Sequence, residues 1–258
     1  MINNLFLELS RIEQVEAIAL GGSRAGTIFD EKSDYDIYIY TTSPIEETVR
    51  RNILNKYCSV MEIGNQYWEY EDNCTLSDGI DIDIIYRNLN DFTEEIASVV
   101  EKHKARNGYT TCMWYNLKNC KVIYDKNGRL NQAKIRFDIP YPKLLKHNII
   151  KRNMNLLTEA LPSYHNQIAK ALKRDDIVSI NHRVSEFLAS YFDILFAVNE
   201  LPHPGEKRLI NICINQCKLL PANFESNLNQ LFNDLFITKE KVMADIDILI
   251  FELKKIIA

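Results

Sequence analysis

The sequence predicts an α+β protein, with an N-terminal mixed sheet and helices followed by a C-terminal helical bundle. Strand and helix patterns alternate through the first part of the chain, whereas helix-period patterns alone fill the chain after about residue 135. We therefore expect an N-terminal domain at residues 1–135 and a helical domain at residues 136–258. A chain of 258 residues can bury a hydrophobic core in each.

The N-terminal part begins with an amphipathic helix pattern at residues 2–14. Residues 15–21 then form a short apolar run that ends at two glycines, which is typical of a buried strand. Residues 35–41 are rich in β-branched and aromatic side chains, which favours a second strand, and a helix is predicted at residues 46–57. Further strands are predicted at residues 59–63, 67–70 and 80–86.

The strand predicted at residues 80–86 alternates acidic and apolar side chains. Because alternate residues of a strand point to the same face, Asp81 and Asp83 share one face and the isoleucines share the other. Carboxylates inside a strand are costly unless they face water, a cleft or a metal ion. Two interpretations stay open: an edge strand with a solvated acidic face, or a central strand whose acids line a functional cleft.

Helical spacing dominates the second half of the chain. Within residues 182–200, apolar side chains recur every three or four residues, which predicts a buried stripe formed by Val184, Phe187, Leu188, Tyr191 and Leu195. Helices are predicted at residues 143–160, 163–174, 176–200, 204–218, 222–236 and 238–256.

The overall composition is that of a soluble globular protein, with 46% hydrophobic and 26% charged residues. Collagen-like and intrinsically disordered classes are excluded. No apolar run approaches the roughly 18 residues of a membrane helix, and the N-terminus lacks the pattern of a signal peptide. The six cysteines are scattered without metal-binding spacing, so we expect reduced thiols and a cytoplasmic protein.

Charge is divided unevenly along the chain. Residues 1–90 carry 16 acidic and 7 basic side chains, and no Lys or Arg occurs between Lys56 and Arg87. Residues 102–152 carry 13 basic and two acidic side chains. This division suits a cleft that binds metal and a cationic substrate on one wall and polyphosphate on the other. Two solvated faces of opposite sign are the alternative.

The first candidate motif is Gly21-Gly22-Ser23-Arg24, directly after a predicted strand. Glycines allow a tight turn and a close backbone approach, and N–H groups at the start of a following helix can hold a phosphate. The Ser23 hydroxyl and the Arg24 guanidinium can contribute further contacts to phosphate oxygens. A lone Gly-Gly turn after a strand is common, so this motif is weak by itself.

The second motif is Asp34-Tyr35-Asp36 at the start of a predicted strand. The two carboxylates point the same way, with Cα atoms about 7 Å apart. They repel each other unless they are solvated or bridged by a cation, and such hard oxygen ligands favour Mg²⁺ shared with substrate phosphates. With a third acid from another strand, Asp81 or Asp83, these are the parts required for nucleotidyl transfer.

The combination of Leu20-Gly21-Gly22-Ser23, Asp34-Tyr35-Asp36-Ile37 and Ile82-Asp83-Ile84 resembles the polymerase-β-like nucleotidyltransferase superfamily. The motif sequence is most similar to the bacterial small-molecule branch, which includes aminoglycoside and lincosamide nucleotidyltransferases. The resemblance covers residues 18–86, and a helix-rich C-terminal half is usual in that branch.

The resemblance implies roles for particular residues. Gly22 and Ser23, with Arg24, would contact the nucleotide triphosphate. Asp34 and Asp36 would bind Mg²⁺, two ions being expected. Asp83 is favoured as the third catalytic acid and Asp81 is a further metal-ligand candidate, since both lie on one face of the strand.

In the helical half, three features are candidates for supporting roles. Lys207, in the loop before a predicted helix, could reach the β- and γ-phosphates, or it could be an ordinary solvated side chain. Glu186 and Asp193 share a helix face that could bind a cationic acceptor, although ordinary surface is the stronger interpretation. Trp68 and Trp114 are expected in the core rather than as platforms for base stacking.

These observations predict a Mg²⁺-dependent enzyme that transfers a nucleoside monophosphate, AMP from ATP first among candidates, to a hydroxyl group of a small molecule. A cationic acceptor such as an aminoglycoside suits the acidic N-terminal half. The expected partners are an NTP and a small-molecule acceptor rather than a membrane or nucleic acid, and the chain is expected as a monomer or homodimer. The alternatives are transfer to a protein or RNA, and a non-catalytic nucleotide-binding or toxin–antitoxin module.

Overall fold

The computed structural model describes residues 1–25 and 33–257, except the Ser23 side chain. The chain divides into two compact units, residues 1–97 with 116–139 and residues 98–115 with 140–258. The first unit contains a six-stranded mixed sheet with helices, and the second is built from helices, which confirms the predicted α+β class. The domain boundary predicted at residue 135 stays a prediction. Among the described helices, none has the length and apolar character required to cross a bilayer.

The sheet of the first unit has the strand order β3-β4-β5-β2-β1-β6. Strands β2 and β5 run parallel to each other, and the other neighbouring pairs are antiparallel. Because β5 lies between β4 and β2, the strand with alternating acids is central and the edge-strand interpretation is wrong. The strands are β1 (Val15–Leu20), β2 (Tyr35–Thr41), β3 (Cys58–Asn65), β4 (Glu71–Leu76), β5 (Asp81–Asn88) and β6 (Lys121–Asp125).

The helices through residue 136 are α1 (Ile2–Leu9), α2 (Gly22–Ala25), α3 (Glu47–Leu54), α4 (Leu89–Val100), α5 (Cys112–Asn119) and α6 (Arg129–Arg136). Those that follow are α7 (Lys143–Met154), α8 (Tyr164–Lys173), α9 (Ile177–Val198), α10 (Leu209–Gln216), α11 (Phe224–Ile237) and α12 (Val242–Ile257). A π-helical turn, residues 155–159, continues α7.

One prediction about the sheet is wrong. The strand expected at residues 67–70 lies instead at Glu71–Leu76, and residues 67–70 form the bend of the β3–β4 hairpin. The aromatic side chains of this segment favour a strand by propensity, but the turn between β3 and β4 overrides that preference. The Tyr67 N–H donates to Asn65 Oδ1 at 2.9 Å, an Asx-type contact that directs the chain into the bend.

The two faces of the sheet have different chemistry. One face packs against α1 and α3 in a continuous apolar core that includes Leu5, Leu9, Ile37, Leu54 and Ile84. The other face carries the polar side chains of β2, β4 and β5, because strand residues alternate between faces. This second face is called the polar face below. Helix α4 covers one end of it, where the Phe92 and Tyr40 rings lie 5.1 Å apart.

A buried ion pair joins α3 to the β3–β4 hairpin on the apolar side of the sheet. The Arg50 guanidinium donates to Asp72, and both side chains are fully buried. Asp72 also accepts hydrogen bonds from the Tyr86 hydroxyl at 2.9 Å and the Gly64 N–H at 2.9 Å. Arg50 donates to the Tyr70 hydroxyl and lies over the rings of Tyr70 and Tyr86, with centroid distances of 4.9 and 4.8 Å. The carboxylate therefore has three donors, which offset its desolvation.

The second unit is organised around α9. The predicted apolar stripe is confirmed in large part, since Val184, Phe187, Tyr191 and Leu195 are buried in the core that α8, α11 and α12 also share. Leu188 is half-buried at the edge of this core.

Asp193 is a buried acid on α9, so the expectation that it is an ordinary surface side chain is wrong. It accepts hydrogen bonds from the Thr110 N–H at 3.0 Å, the Thr110 hydroxyl at 2.6 Å and the Asn153 side-chain amide at 3.1 Å. Asn153 also accepts from the Gly108 N–H at 3.1 Å and donates to the Arg106 carbonyl at 3.1 Å. The acid and the amide thereby fasten residues 106–110 to α7 and α9.

We expect Asp72→Ala to lower the free energy of unfolding by about 3–5 kcal/mol, because it leaves the buried Arg50 charge without a counterion. Urea unfolding followed by far-UV circular dichroism measures the change. Replacing both partners, Arg50→Met with Asp72→Leu, is expected to recover most of the loss. A single variant as stable as the wild type would contradict this account.

Stability is expected to depend on pH through Asp193. Burial raises the pKa of its carboxyl from an ordinary value near 3.8 to about 6, even though hydrogen bonds from Thr110 and Asn153 oppose the shift. The unfolded chain loses this proton near pH 3.8, whereas the folded protein holds it until about pH 6. Lowering the pH from 7 to 4 should therefore stabilise the wild type relative to Asp193→Asn by up to about 3 kcal/mol. Urea unfolding of both proteins at pH 4, 5, 6 and 7 tests this, and a constant difference would refute it.

Candidate active site

Asp36 of β2 and Asp83 of β5 are register partners on the polar face. The parallel pairing aligns Asp36 with Asp83, and it aligns the buried Ile37 with Ile84 on the opposite face. Adjacent strands are about 4.8 Å apart, so the two half-buried carboxylates start from neighbouring Cα positions. The prediction that these acids come together from distant parts of the sequence agrees with this placement.

The glycine turn after β1 lies directly against Asp36. The Gly21 N–H donates to the Asp36 carbonyl at 2.7 Å. Gly22 has a φ of +56°, and a Cβ built on it would lie 1.6 Å from Asp36 Oδ2. Any side chain at residue 22 would therefore displace the carboxylate. Glycine is required here for the contact between backbone and carboxylate, beyond its role in a tight turn.

Arg24 and Asp34 lie on either side of residues 26–32, which are outside the described part of the chain. The Arg24 guanidinium donates to the Ser33 carbonyl at 2.5 Å and lies 4.0 Å from the centroid of the Tyr35 ring. Arg24 therefore connects the glycine turn to the start of β2. Asp34 is exposed and immediately precedes that strand. The phosphate-binding roles of Ser23 and Arg24, and the metal-binding role of Asp34, stay predictions.

Asp81 and Asp83 share a face, as predicted, but their surroundings differ. Asp83 Oδ1 accepts a hydrogen bond from Asn73 Nδ2 at 2.7 Å and lies opposite Asp36. Asp81 is exposed, and its Oδ1 accepts from the Thr75 hydroxyl at 2.8 Å. Of the two, Asp83 is the register partner of Asp36. This placement favours Asp83 over Asp81 as the third acid, whose catalytic role stays a prediction.

Glu71 of β4 is an acid of the polar face that sequence reasoning missed. Glu71 is 6% exposed, and it lies on the same face of β4 as Asn73. Burial raises the pKa of its carboxyl, and the nearby Asp83 charge adds to the increase. Glu71 falls outside the predicted strands because a strand was expected at residues 67–70, whereas it lies at Glu71–Leu76. Correct placement of that bend would have put Glu71 and Asn73 on one face.

A metal site formed entirely by protein side chains is absent from the described residues. Across residues 1–25 and 33–257, no group of three or more His, Cys, Asp or Glu side chains is arranged to hold a metal ion. The pair Asp36 and Asp83 nevertheless suits Mg²⁺, because this cation is commonly held by one or two carboxylates together with water and substrate phosphates. The two-ion site predicted from Asp34, Asp36, Asp81 and Asp83 stays a prediction.

Lys207 lies in the second unit, in an exposed turn before α10. The preceding residues are anchored through His203, which is fully buried. Its N–H donates to the Thr111 hydroxyl at 2.7 Å, and its Nδ1 accepts from the Gly205 N–H at 3.1 Å. Burial lowers the pKa of His203 to about 3, so its ring is neutral at physiological pH. The contact of Lys207 with phosphate stays a prediction.

The two tryptophans have opposite environments. Trp114 is 2% exposed, and its ring centroid lies 5.4 Å from that of Tyr141, so the expectation that it is a core residue is confirmed. Trp68 is 88% exposed, so the expectation that it lies in the core is wrong. It occupies the bend of the β3–β4 hairpin. Glu186 is half-buried on α9 and accepts from the Tyr164 hydroxyl at 3.3 Å.

Comparison with known proteins gives one partial family match. A domain of unknown function, DUF4037, matches residues 111–208, which is less than half of the chain. No curated protein sequence matches the chain.

Several solved structures are similar to this chain. A nucleotidyltransferase-like protein from Exiguobacterium sibiricum 255-15 has 10% identity and a TM-score of 0.44, covering 99% of this chain and 74% of that one. An aminoglycoside 6-adenyltransferase from Bacillus subtilis has 12% identity and a TM-score of 0.35, covering 100% and 88%. A spectinomycin adenyltransferase from Enterococcus faecialis, solved with ATP and spectinomycin, has 14% identity and a TM-score of 0.32, covering 97% and 98%.

At 10–14% identity and with TM-scores below 0.5, the similarity says nothing about the substrate or activity of this chain.

We expect Gly22→Ala to be more destabilising than the same substitution at a glycine that also has a positive φ but has room for a Cβ atom. Gly128 provides the control, because its φ is +70° and the nearest atom to a built Cβ is 3.9 Å away. Gly128→Ala should cost about 1 kcal/mol, and Gly22→Ala about 1–3 kcal/mol more because of the clash with Asp36. Urea unfolding measures both.

A double-mutant cycle separates the clash from the backbone strain. In an Asp36→Ala background, the extra cost of Gly22→Ala should largely disappear, since the carboxylate is gone. If the extra cost is the same in both backgrounds, the proposed contact between residue 22 and the carboxylate is wrong.

Proposed function

We propose that this protein is a nucleotidyltransferase that moves a nucleoside monophosphate, with AMP from ATP as the first candidate, to a hydroxyl group of a small molecule. The observation that carries the proposal is the placement of Asp36 and Asp83 in register on parallel strands, with the Gly22 backbone against Asp36. Paired carboxylates beside a side-chain-free turn provide cation ligands next to a backbone surface that a triphosphate can approach closely.

The proposed reaction is an in-line displacement at the α-phosphorus of the NTP. The acceptor hydroxyl oxygen forms a bond to this phosphorus, and the bond from phosphorus to the oxygen bridging to the β-phosphate breaks. Pyrophosphate leaves with the electron pair of the broken bond, and the hydroxyl proton passes to a carboxylate of the polar face or to water. Mg²⁺, when bound, would supply neutralisation of the charge that develops on the attacking and leaving oxygens.

The residues contribute mainly by positioning. Asp36 and Asp83 would hold the cation, with Asp34 and Asp81 as further candidates, and Gly22, Ser23 and Arg24 would contact the triphosphate. The rigid strands that carry Asp36 and Asp83 keep the two carboxylates adjacent before substrate binds. Such preorganisation lowers the barrier, because little rearrangement is required when the reaction occurs.

The acidic first unit supports a cationic acceptor such as an aminoglycoside. Acids on and around the polar face are Asp36, Glu62, Glu69, Glu71, Asp81 and Asp83, and no basic residue occurs between Lys56 and Arg87. Arg87 itself is held by Glu69 through hydrogen bonds of 2.8 and 2.6 Å. A surface of this sign attracts cations and repels polyanions, so substrate phosphates require the bound cation.

Transfer to RNA is less well supported. The basic residues of the segment 102–152 are divided between the two units. Several of them already have partners, including Lys118 with Asp138 at 2.9 Å and Lys146 with Glu200 at 3.0 Å.

A non-catalytic module is the other alternative, but it gives no reason to keep two adjacent carboxylates in a central position of the sheet. We also propose that the protein is cytoplasmic and that it is a monomer or a homodimer.

The test is transfer of label from α-³²P-labelled NTPs to a panel of acceptors in the presence of Mg²⁺. Aminoglycosides, neutral sugars, a protein and tRNA make up the panel, and pyrophosphate release is measured in parallel. We expect transfer to a cationic small molecule, and a decrease in kcat of about 10²–10³-fold for Asp36→Asn and Asp83→Asn. Chelation of divalent cations should abolish the reaction.

Asp78→Asn is the matched control, since it removes one acid from the exposed β4–β5 turn and leaves the polar face unchanged. It should retain wild-type turnover. Equal rates of pyrophosphate release by the wild type and Asp36→Asn would disprove the assignment, and label on tRNA alone would replace the small-molecule acceptor by RNA.

A further inference from the structure

A line of side-chain amides leads from the β3–β4 hairpin to Asp83. Asn65, at the end of β3, donates from its side-chain amide to Asn73 Oδ1 on β4. Asn73 Nδ2 in turn donates to Asp83 Oδ1 on β5 at 2.7 Å. The Asn65 oxygen is itself fixed by the Tyr67 N–H at 2.9 Å. These contacts cross three adjacent strands and end on the acid that lies opposite Asp36.

The orientation of the Asn73 amide follows from the chemistry of its neighbours. An amide NH₂ group has two donor hydrogens, and its oxygen is an acceptor. The Asn73 side chain meets the carboxylate of Asp83, which accepts, and the amide of Asn65, which donates because its own oxygen accepts from the Tyr67 N–H. The Asn73 NH₂ group must therefore point to Asp83, and its oxygen must point to Asn65. A flipped Asn73 amide would satisfy neither contact.

This arrangement distinguishes the two oxygens of Asp83. Oδ1 accepts from the Asn73 amide, whereas Oδ2 has no hydrogen-bond partner among the described residues and is left for another ligand. A freely rotating carboxylate loses rotational entropy when it binds a cation. A hydrogen bond that already fixes one of its oxygens removes part of this entropic cost. The neutral amide achieves this without placing a further positive charge beside the cation.

A second pair on the same two strands provides a comparison. Thr75 lies opposite Asp81, and its hydroxyl donates to Asp81 Oδ1 at 2.8 Å. Asn73 lies opposite Asp83 in the same antiparallel ladder. The Thr75 contact shows that a threonine side chain on β4 is long enough to reach the acid opposite it on β5. Only the Asn73 contact ends on the register partner of Asp36.

We propose that Asn73 is a positioning residue that holds the Asp83 carboxylate in the orientation that binds the divalent cation, with Asn65 fixing Asn73 from behind. This inference rests on the proposed function in assigning a cation to Asp36 and Asp83. It goes further in naming a neutral residue on which cation affinity depends. Loss of such an orienting partner typically weakens metal binding about 10–100-fold.

The experiment measures Mn²⁺ binding to the full-length protein by calorimetry and by the electron paramagnetic resonance signal of free Mn²⁺, without nucleotide or acceptor. Asn73→Val and Asn73→Thr form a matched pair of equal shape, and only the threonine retains a donor. We expect the Kd for Mn²⁺ to rise about 10–100-fold in Asn73→Val and to return most of the way to the wild-type value in Asn73→Thr.

Wild-type Mn²⁺ affinity in Asn73→Val would overturn the inference. So would equal weakening in Asn73→Val and Asn73→Thr, since that result indicates general loosening of the sheet. If Asn73→Val does not fold, Asn65→Ala tests the same line of amides, with weaker Mn²⁺ binding expected and unchanged binding contradicting it.

Failure of the proposed function has a different signature. Mn²⁺ binding that Asp36→Asn abolishes, without nucleotidyl transfer to any acceptor, would remove the activity and leave the role of Asn73 intact. Absence of Asp36-dependent Mn²⁺ binding in the wild type would overturn both the cation site and the role of Asn73.

Discussion

The parallel pairing of β2 with β5 is the constraint on which the candidate site depends. These strands are neighbours in the sheet although β3 and β4 lie between them in the chain. Their register sets Asp36 opposite Asp83 and, on the other face, Ile37 opposite Ile84. A shift of either strand by one residue would turn its acid into the apolar core and its isoleucine out of it, at a large free-energy cost. Core packing on one face therefore fixes the carboxylate pair on the other.

The two carboxylates of this pair are held in place by different contacts. Gly22 brings the backbone of the β1 turn against Asp36, where no side chain could be accommodated. On the other side, Asn73 holds Asp83 through its amide. The β3–β4 hairpin that supplies Asn73 is fastened to α3 by the buried Arg50 and Asp72 pair. Polar groups on both faces of β4 thus serve one purpose, which is to fix the hairpin beside the site.

Much of this was predictable from the sequence, because periodicity and turn residues are local properties. The glycine turn, the strand at residues 35–41 and the acids of the strand at residues 81–88 were all placed by their patterns. The bend at residues 67–70 was not, because aromatic residues favour strands wherever they occur and the hairpin register overrides that preference. That error hid Glu71 and Asn73. Trp68 was expected in the core because tryptophan side chains are commonly buried, whereas the bend exposes it. Asp193 was mistaken for a surface acid, since nothing local reveals the donors from Thr110 and Asn153 that allow its burial.

The sequence by itself determined the class of fold, the motif residues and the chemistry that acidic pairs beside a glycine turn can perform. Those properties depend on residue type and on spacing along the chain. The tertiary structure decided which acid faces Asp36, which amide holds Asp83, and that residue 22 must lack a side chain. These features depend on strand order and register, which arise from contacts between residues far apart in sequence, and no local pattern records them.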